Sequence, residues 1–134
     1  MTVLNAMKTT VQSGGNEASD APVAPDHSAA QNLSAALDQL WVRFLAEIRV
    51  RVDILDAAGA ACAANELSAA QREAAHSAAH KLAGTLGTFN LANGTELARE
   101  YELLVSNEEG LDSSQGGRLS SIAAELRAIV ASRK

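Results

Sequence analysis

The stretch AHKLAGTLGTFN, residues 79–90, lies inside an otherwise helical pattern and is the most informative part of the sequence. At about 100° per residue, His80, Gly84 and Gly87 fall on one helix face, while the leucines of this stretch and Phe89 fall on the opposite face. Glycine inside a helix costs about 1 kcal/mol relative to alanine. Core packing does not account for these glycines, because they point away from the apolar stripe. A bare helix surface beside an exposed imidazole indicates that another molecule approaches the ring.

The composition favours a helical protein. The chain has 134 residues, which is enough for one domain with a modest core. Hydrophobic residues make up 47% of the chain, aromatic residues make up only 3%, and there are two prolines. Much of the hydrophobic fraction is alanine, which favours helix, and the β-branched and aromatic runs that favour strands are scarce. The sequence therefore predicts an all-α protein.

Charge and hydropathy exclude two classes of partner. The net charge is −5, and no basic stripe is available to neutralise phosphates, so a nucleic-acid partner is not expected. No apolar run approaches the ~20 residues that span a bilayer, and residues 1–8 lack the pattern of a secretory signal. The single cysteine, Cys62, cannot form an internal disulfide, which is consistent with a reducing compartment. It is expected to be a small buried or half-buried residue. We therefore expect a cytoplasmic protein that binds no membrane.

The first 27 residues differ in composition from the rest of the chain. They contain SGGN at 13–16 and APVAP at 21–25, with few large apolar residues. Such a segment cannot bury enough surface to offset the entropy of ordering it. We predict a disordered tail or linker over residues 1–27 and a folded domain over residues 28–134.

The first helix is predicted from an apolar repeat at spacings of three and four. The repeat begins near Leu33 and continues to Ala58. Gly59 is a weak point in an extension toward Ala64.

The second helix has capping signals at both ends. Ser68 is a candidate N-cap, with Gln71 placed to complete a capping box. The helix is predicted to end near Phe89, where Asn90 tolerates the left-handed conformation that follows many helices. Its predicted buried face consists of small and aliphatic residues with one aromatic residue: Ala75, Ala78, Ala79, Leu82, Leu86 and Phe89.

Two further amphipathic helices complete the pattern. The third is predicted over residues 91–107, and the fourth follows a capping signal formed by Asp112 and Gln115. Four amphipathic helices with short connections predict an antiparallel up-and-down four-helix bundle.

A metal site is one alternative for the histidines. Glu73, His76 and His80 have a spacing that allows carboxylate and imidazole ligands to bind zinc or iron. Bundles that hold di-iron sites use several such helices projecting inward. Here the face points outward and no second helix offers a matching pair, so we expect no metal and no other cofactor.

Nucleophilic catalysis is a second alternative. Ser77 lies near His80 on the helix, but a Ser-His pair also needs an orienting carboxylate and an oxyanion hole in a pocket. No glycine-rich phosphate loop is present either. The sequence therefore favours neither an autonomous enzyme nor a nucleotide-binding protein.

The remaining interpretation is that His80 itself accepts a transferred group. Imidazole is largely neutral near neutral pH, and it is nucleophilic in that form. A carrier of this kind needs an accessible ring, a supporting scaffold and room for the active site of a partner. Phosphoryl transfer consists mostly of positioning and charge neutralisation, which a partner's metal ion can supply.

These residues resemble a known family. HKLAG at 80–84 and TLGTF at 85–89 are similar to the signature of histidine-containing phosphotransfer (HPt) domains, a His-x-Leu-x-Gly core followed by small residues and Phe-Gly. The segments around residues 40–44 and 97–102 also resemble this family, and the resemblance covers about residues 33–134. It implies that His80 is the phosphorylated residue, and that Gly84 lets a receiver domain dock over the ring.

The resemblance also implies the surroundings of the site and two departures from the family pattern. Lys81, Gly87, Ser77 and His76 would form the docking surface and the phosphate environment. Many members carry a lysine three residues after the histidine, where this chain has Ala83. The usual glycine after the phenylalanine is Asn90 here, and the sequence leaves open whether Lys81 replaces the missing lysine.

The function implied is that of a phosphorelay carrier. It would accept a phosphoryl group on His80 from the aspartate of one response-regulator receiver domain and donate it to another. A hybrid sensor histidine kinase is a further candidate partner, and the carrier is expected to be a monomer without an ATP site. Any Mg²⁺ would belong to the receiver. The alternative is a non-phosphorylated helical adaptor that uses the same docking face.

Overall fold

The computed structural model describes residues 27–107 and 111–133, and these residues are helical, with no strand among them. Four α-helices and one 3-10 turn make up the described chain: α1 His27–Ala63, α2 Ala69–Thr88, α3 Ala92–Ser106, the turn Ser113–Gln115, and α4 Gly116–Ser132. The predicted all-α class is confirmed. The predicted tail lies outside the described residues except for its last residue, His27, where α1 begins. No described helix is long and apolar enough to cross a membrane.

The first helix is longer than its apolar repeat. It begins at His27, whereas the sequence indicated a start near Leu33, which is itself exposed. The chain divides into two units after Ala36, and the packed core lies within the second unit, Leu37–Lys134. Since an apolar repeat detects only the part of a helix that packs, it missed the alanine-containing first turns.

The core of the second unit is apolar, with no buried polar or charged residue in the described part of the chain. All four helices contribute to it. Its largest fully buried side chains are Tyr101, Ile48, Leu55, Leu82, Leu86, Leu119, Ile122, Leu126, Val52 and Val105. The α2 face contributes mainly alanines, and each of its six predicted core residues is buried. Ala83 is also buried, although it is not among the residues predicted for this face.

The ends of α2 are fixed by local hydrogen bonds. Ser68 Oγ accepts a hydrogen bond from the Gln71 N–H at 3.0 Å, as expected for an N-cap. At the other end, Asn90 has a φ of 60°. The Leu91 N–H donates to the Leu86 carbonyl at 2.9 Å, which is the bond that closes a Schellman motif. The sequence therefore located both ends of the helix that carries His80.

The start of α4 differs from its prediction. Asp112 accepts a hydrogen bond from the Ser114 N–H at 2.9 Å, and so it caps the 3-10 turn rather than α4. The α-helix begins only at Gly116, after Gln115. A 3-10 turn commonly precedes an α-helix, and here it moves the cap one turn away from the helix it was predicted to serve.

Side chains at several levels connect α1 to the other helices. Arg127 of α4 lies 2.6 Å from Asp53 of α1, and Arg133 lies 3.2 Å from Asp38. Tyr101 of α3 donates a hydrogen bond from its hydroxyl to the Leu55 carbonyl at 2.6 Å. Burial raises the pKa of Tyr101, so the hydroxyl stays a donor throughout the physiological range.

Cys62, near the end of α1, is buried and free, as the sequence indicated. Its thiol contacts the Asp112 carbonyl oxygen, with Sγ at 3.2 Å. Burial raises the pKa of this thiol. The residue is therefore a packing residue rather than an activated thiolate.

The packing of α2 against α3 positions the candidate site. Thr95, in the first turn of α3, donates from its hydroxyl to the Ala83 carbonyl at 3.2 Å. Arg72, in the first turn of α2, donates from Nε to the Val105 carbonyl at 2.7 Å, near the end of α3. These two contacts fix how the helices are offset along their length. As a result, the middle of α3 lies beside His80.

Candidate functional site

His80 lies in the middle of α2, on the face opposite the core. Its side chain keeps 73% of its surface exposed, although Ala79 and Ala83 on the same helix are buried. The ring Nδ1 lies 3.0 Å from Oε2 of Glu102 on α3. The imidazole is therefore accessible to solvent and held on one side by a carboxylate.

The contact with Glu102 selects one form of the neutral ring. An ionised carboxylate can only accept hydrogen bonds, so Nδ1 must carry the hydrogen in this pair. The other nitrogen, Nε2, then keeps its lone pair. A nucleophilic nitrogen on an exposed ring is what a group acceptor requires.

His76 lies one turn before His80 and faces the same carboxylate. Its Nε2 is 3.6 Å from Glu102 Oε2, and its side chain is 43% exposed. His76, His80 and Glu102 thus form a cluster in which one carboxylate lies beside two imidazole rings. The third residue of the predicted metal alternative, Glu73, is exposed, and no group of three or more potential metal ligands occurs among the described residues.

The two glycines that follow His80 are exposed, as the helical wheel indicated. A Cβ built at Gly84 would have no other atom within 4 Å. At Gly87 it would be 3.5 Å from Thr95 Oγ1, which is an ordinary contact distance. Neither glycine is required by the packing of this chain.

Two grooves flank His80. The first, called here the α1–α2 groove, has a volume of about 460 Å³ and includes Phe44, Arg51 and Lys81 in its lining. The second, called here the α2–α3 groove, has a volume of about 390 Å³, and Arg99 and Glu102 line it. His80 and Gly84 belong to both linings. The ring therefore stands on the ridge between two open depressions.

The Hpt domain family model matches residues 39–132, which is more than half of the chain. The chain belongs to the Hpt domain family. Hpt domains carry phosphoryl groups on histidine in two-component phosphorelays, and they are not kinases with ATP sites. They interact with response-regulator receivers and with kinases. No curated protein and no solved structure gives a significant match to the chain.

Only some of the predicted site residues of this Hpt domain line the grooves beside His80. His80 and Gly84 share both grooves, and Lys81 lies in the α1–α2 groove. Gly87 and Ser77 are exposed but line neither groove. All of these residues were predicted as site residues because they are close together along one helix.

Several residues that lie around His80 were not predicted as site residues, because they come from other helices. Glu102 and Arg99 lie on α3, and Arg51 and Phe44 lie on α1. Arg99 and Glu102 are three residues apart, the spacing that puts two side chains on one helix face. That spacing was the available signal, but it gives no indication of which helix the face meets.

Proposed function

We propose that His80 is the phosphoryl acceptor of this Hpt domain. It accepts the group from the aspartate of one response-regulator receiver domain and donates it to the aspartate of another. The chain acts as a carrier and not as an enzyme, since it needs no ATP site of its own. The Mg²⁺ that neutralises charge during the transfer belongs to the receiver.

The observation that carries this proposal is the hydrogen bond between His80 Nδ1 and Glu102 Oε2, at 3.0 Å, on a ring that is 73% exposed. Burial of the ring or a hydrogen bond at its outer nitrogen would keep it from reacting. Here the inner nitrogen is held and the outer nitrogen is free to react. Glu102 thereby acts as a positioning residue for the ring.

The transfer step follows from this arrangement. The lone pair of Nε2 attacks the phosphorus of an aspartyl phosphate, and an N–P bond forms. The bond between phosphorus and the aspartate oxygen breaks, and the carboxylate leaves with the electron pair. The ring becomes positively charged while Nδ1 keeps its hydrogen, and the Glu102 carboxylate stabilises that charge. The reverse sequence donates the group to a second receiver.

Access for the receiver is the second requirement. Gly84 lies one turn after His80 and presents no side chain, and the surrounding space is open. The exposed Phe44 in the α1–α2 groove offers an apolar contact beside the ring. Gly87, Ser77 and His76 extend the docking face along α2.

The scaffold is an antiparallel up-and-down four-helix bundle in this proposal. The contact of Thr95 with Ala83 and that of Arg72 with Val105 support opposite directions for α2 and α3. The salt bridges of Asp53 and Asp38 in α1 with Arg127 and Arg133 support opposite directions for α1 and α4 as well. We also propose a cytoplasmic monomer, as expected for a carrier that moves between receivers.

Substitution of the histidines tests the site. A panel of receiver domains, phosphorylated on aspartate with acetyl phosphate, is incubated with the wild-type chain, His80→Gln and His76→Gln. His80→Gln should lose all base-stable, acid-labile label while retaining its helical circular dichroism. His76→Gln should keep most of the label, and it serves as the matched control.

The same experiment separates the carrier from the adaptor alternative. An adaptor binds the receivers but takes no label in the wild-type chain. A label that disappears with His76→Gln and persists with His80→Gln would show that the site is misassigned.

A further inference from the structure

A phosphoryl group on His80 would add negative charge to an acidic chain. The group carries up to about two negative charges near neutral pH. The carboxylate of Glu102 is 3.0 Å from Nδ1 of the same ring. The phosphoryl group would be bonded to Nε2, the other ring nitrogen, and the carboxylate of Glu102 would be paired with the charged ring. The chain as a whole carries a net charge of −5, so the added negative charge of the phosphoryl group is unfavourable. A cation that reaches the phosphoryl oxygens would stabilise the phosphorylated form.

The cations of the α1–α2 groove are poorly placed for this role. Arg51 Nη2 lies 3.0 Å from the Glu47 carboxylate, so its charge is already paired. Lys81 follows His80 directly, and successive helix residues point about 100° apart. The α1–α2 groove thus offers one engaged guanidinium and one ammonium on the flank of the helix.

Arg99 in the α2–α3 groove is better placed to bind the phosphoryl group. It lines this groove together with His80 and Glu102. It is exposed, and it makes no hydrogen bond or ion pair with any residue that the structure describes. Because it precedes Glu102 by three residues on α3, both side chains lie on the same helix face.

Small residues of α2 keep the space between His80 and Arg99 open. Ala83 contributes only a methyl group to the α2–α3 groove, and Gly84 contributes no side chain. The groove has a volume of about 390 Å³, which is large enough for a phosphoryl group and a guanidinium.

We propose that Arg99 binds the phosphoryl group carried by His80. Its guanidinium donates N–H hydrogen bonds to the phosphoryl oxygens, in the paired geometry that arginine forms with phosphate. Arg99 thus offsets the negative charge of the phosphoryl group, while Glu102 pairs with the charged ring. This inference rests on the proposed role of His80.

Phosphorus NMR tests the contact directly. The full chain is phosphorylated with phosphoramidate, and the signal that is absent from His80→Gln is assigned to the His80 phosphoryl group. A bound guanidinium favours the dianion, so the pKa of this phosphoryl group should be lower in the wild type than in Arg99→Gln. We expect Arg99→Gln to raise the titration midpoint by about half a pH unit or more, and Arg99→Lys to restore part of the difference.

Arg49→Gln is the matched control, because Arg49 is an exposed arginine that lines a different groove, between α1 and α4. It should titrate like the wild type. Identical titrations of wild type and Arg99→Gln would overturn the Arg99 inference while leaving His80 as the acceptor. A shift in Lys81→Gln without one in Arg99→Gln would also overturn it, and would assign the cation to Lys81. If the wild type gives no His80 signal, the proposed function fails and this inference fails with it.

Discussion

Glycines occur in two settings in this bundle, and the difference separates packing from access. A Cβ at Gly116 would lie 2.6 Å from Ala63 Cβ and closer still to the Ala63 backbone, and one at Gly59 would lie 2.9 Å from the Ser120 nitrogen. These glycines let α4 approach α1. At Gly84 the same added atom meets nothing within 4 Å. A residue that no neighbour requires, on a helix it weakens, points to a contact with another molecule.

The largest effect on stability is expected where the start of α4 packs against the end of α1, at Gly116 and Ala63. Gly116→Ala would force its new methyl group into the Ala63 backbone, which cannot move aside as a flexible side chain can. We expect the free energy of unfolding to fall by about 3 kcal/mol, measured by urea denaturation.

The adjacent residue provides the control. Gly117 lies next to Gly116 in the first turn of α4, and a Cβ there would meet nothing within 4 Å. Gly117→Ala should therefore leave stability unchanged or raise it slightly. Equal losses at both positions would mean that the loss comes from the start of α4 as a whole, and the contrast with Gly84 would disappear.

At the exposed face, stability and function should change in opposite directions. Gly84→Gln should raise the free energy of unfolding by up to about 1 kcal/mol, since glutamine is the better helix former and the space is empty. The same side chain would obstruct a receiver over His80. We expect phosphotransfer to slow by about tenfold or more, measured from a phosphorylated receiver.

Two further variants test whether the effect on phosphotransfer depends on the distance from His80. Gly117→Gln adds the same side chain in the open space at the start of α4, and it should leave the transfer rate unchanged. Gly87→Gln should slow transfer less than Gly84→Gln, because Gly87 lies further from the ring. A destabilised Gly84→Gln would contradict the open-face interpretation, even with His80 as the acceptor.

Local sequence was sufficient to predict four helices and most of the buried face of α2. The capping residues Ser68 and Asn90 and the apolar period determine where α2 lies and which side it buries, and both are properties of neighbouring residues. The same reasoning failed where a helix extends beyond its packed part, as at His27, and where a 3-10 turn intervenes, as at Asp112.

The surroundings of His80 could not be predicted in the same way. The contact between His80 and Glu102 spans 22 positions and depends on how α2 and α3 are rotated and offset. Packing contacts such as that of Thr95 with Ala83 fix the offset, and the apolar period of a single helix does not predict such contacts. The sequence therefore identified the exposed ring and the bare face but missed the carboxylate that orients the ring.

The smallest effect is expected from acid, which should act through two carboxyl groups near the start of α4, Glu100 and Asp112. The Arg118 guanidinium lowers the pKa of Glu100, and hydrogen bonds from Ser114 lower the pKa of Asp112. A carboxyl group with a lowered folded-state pKa stabilises the fold above its ordinary pKa, and this contribution is lost as the pH falls. The melting temperature should therefore drop by a few degrees between about pH 6 and about pH 3. Glu100→Gln removes one of the titrating groups, so its melting temperature should fall less over this range. If Glu100→Gln follows the wild-type curve, the pair with Arg118 adds nothing to stability, and the loss in acid comes from Asp112 and the other carboxyl groups instead.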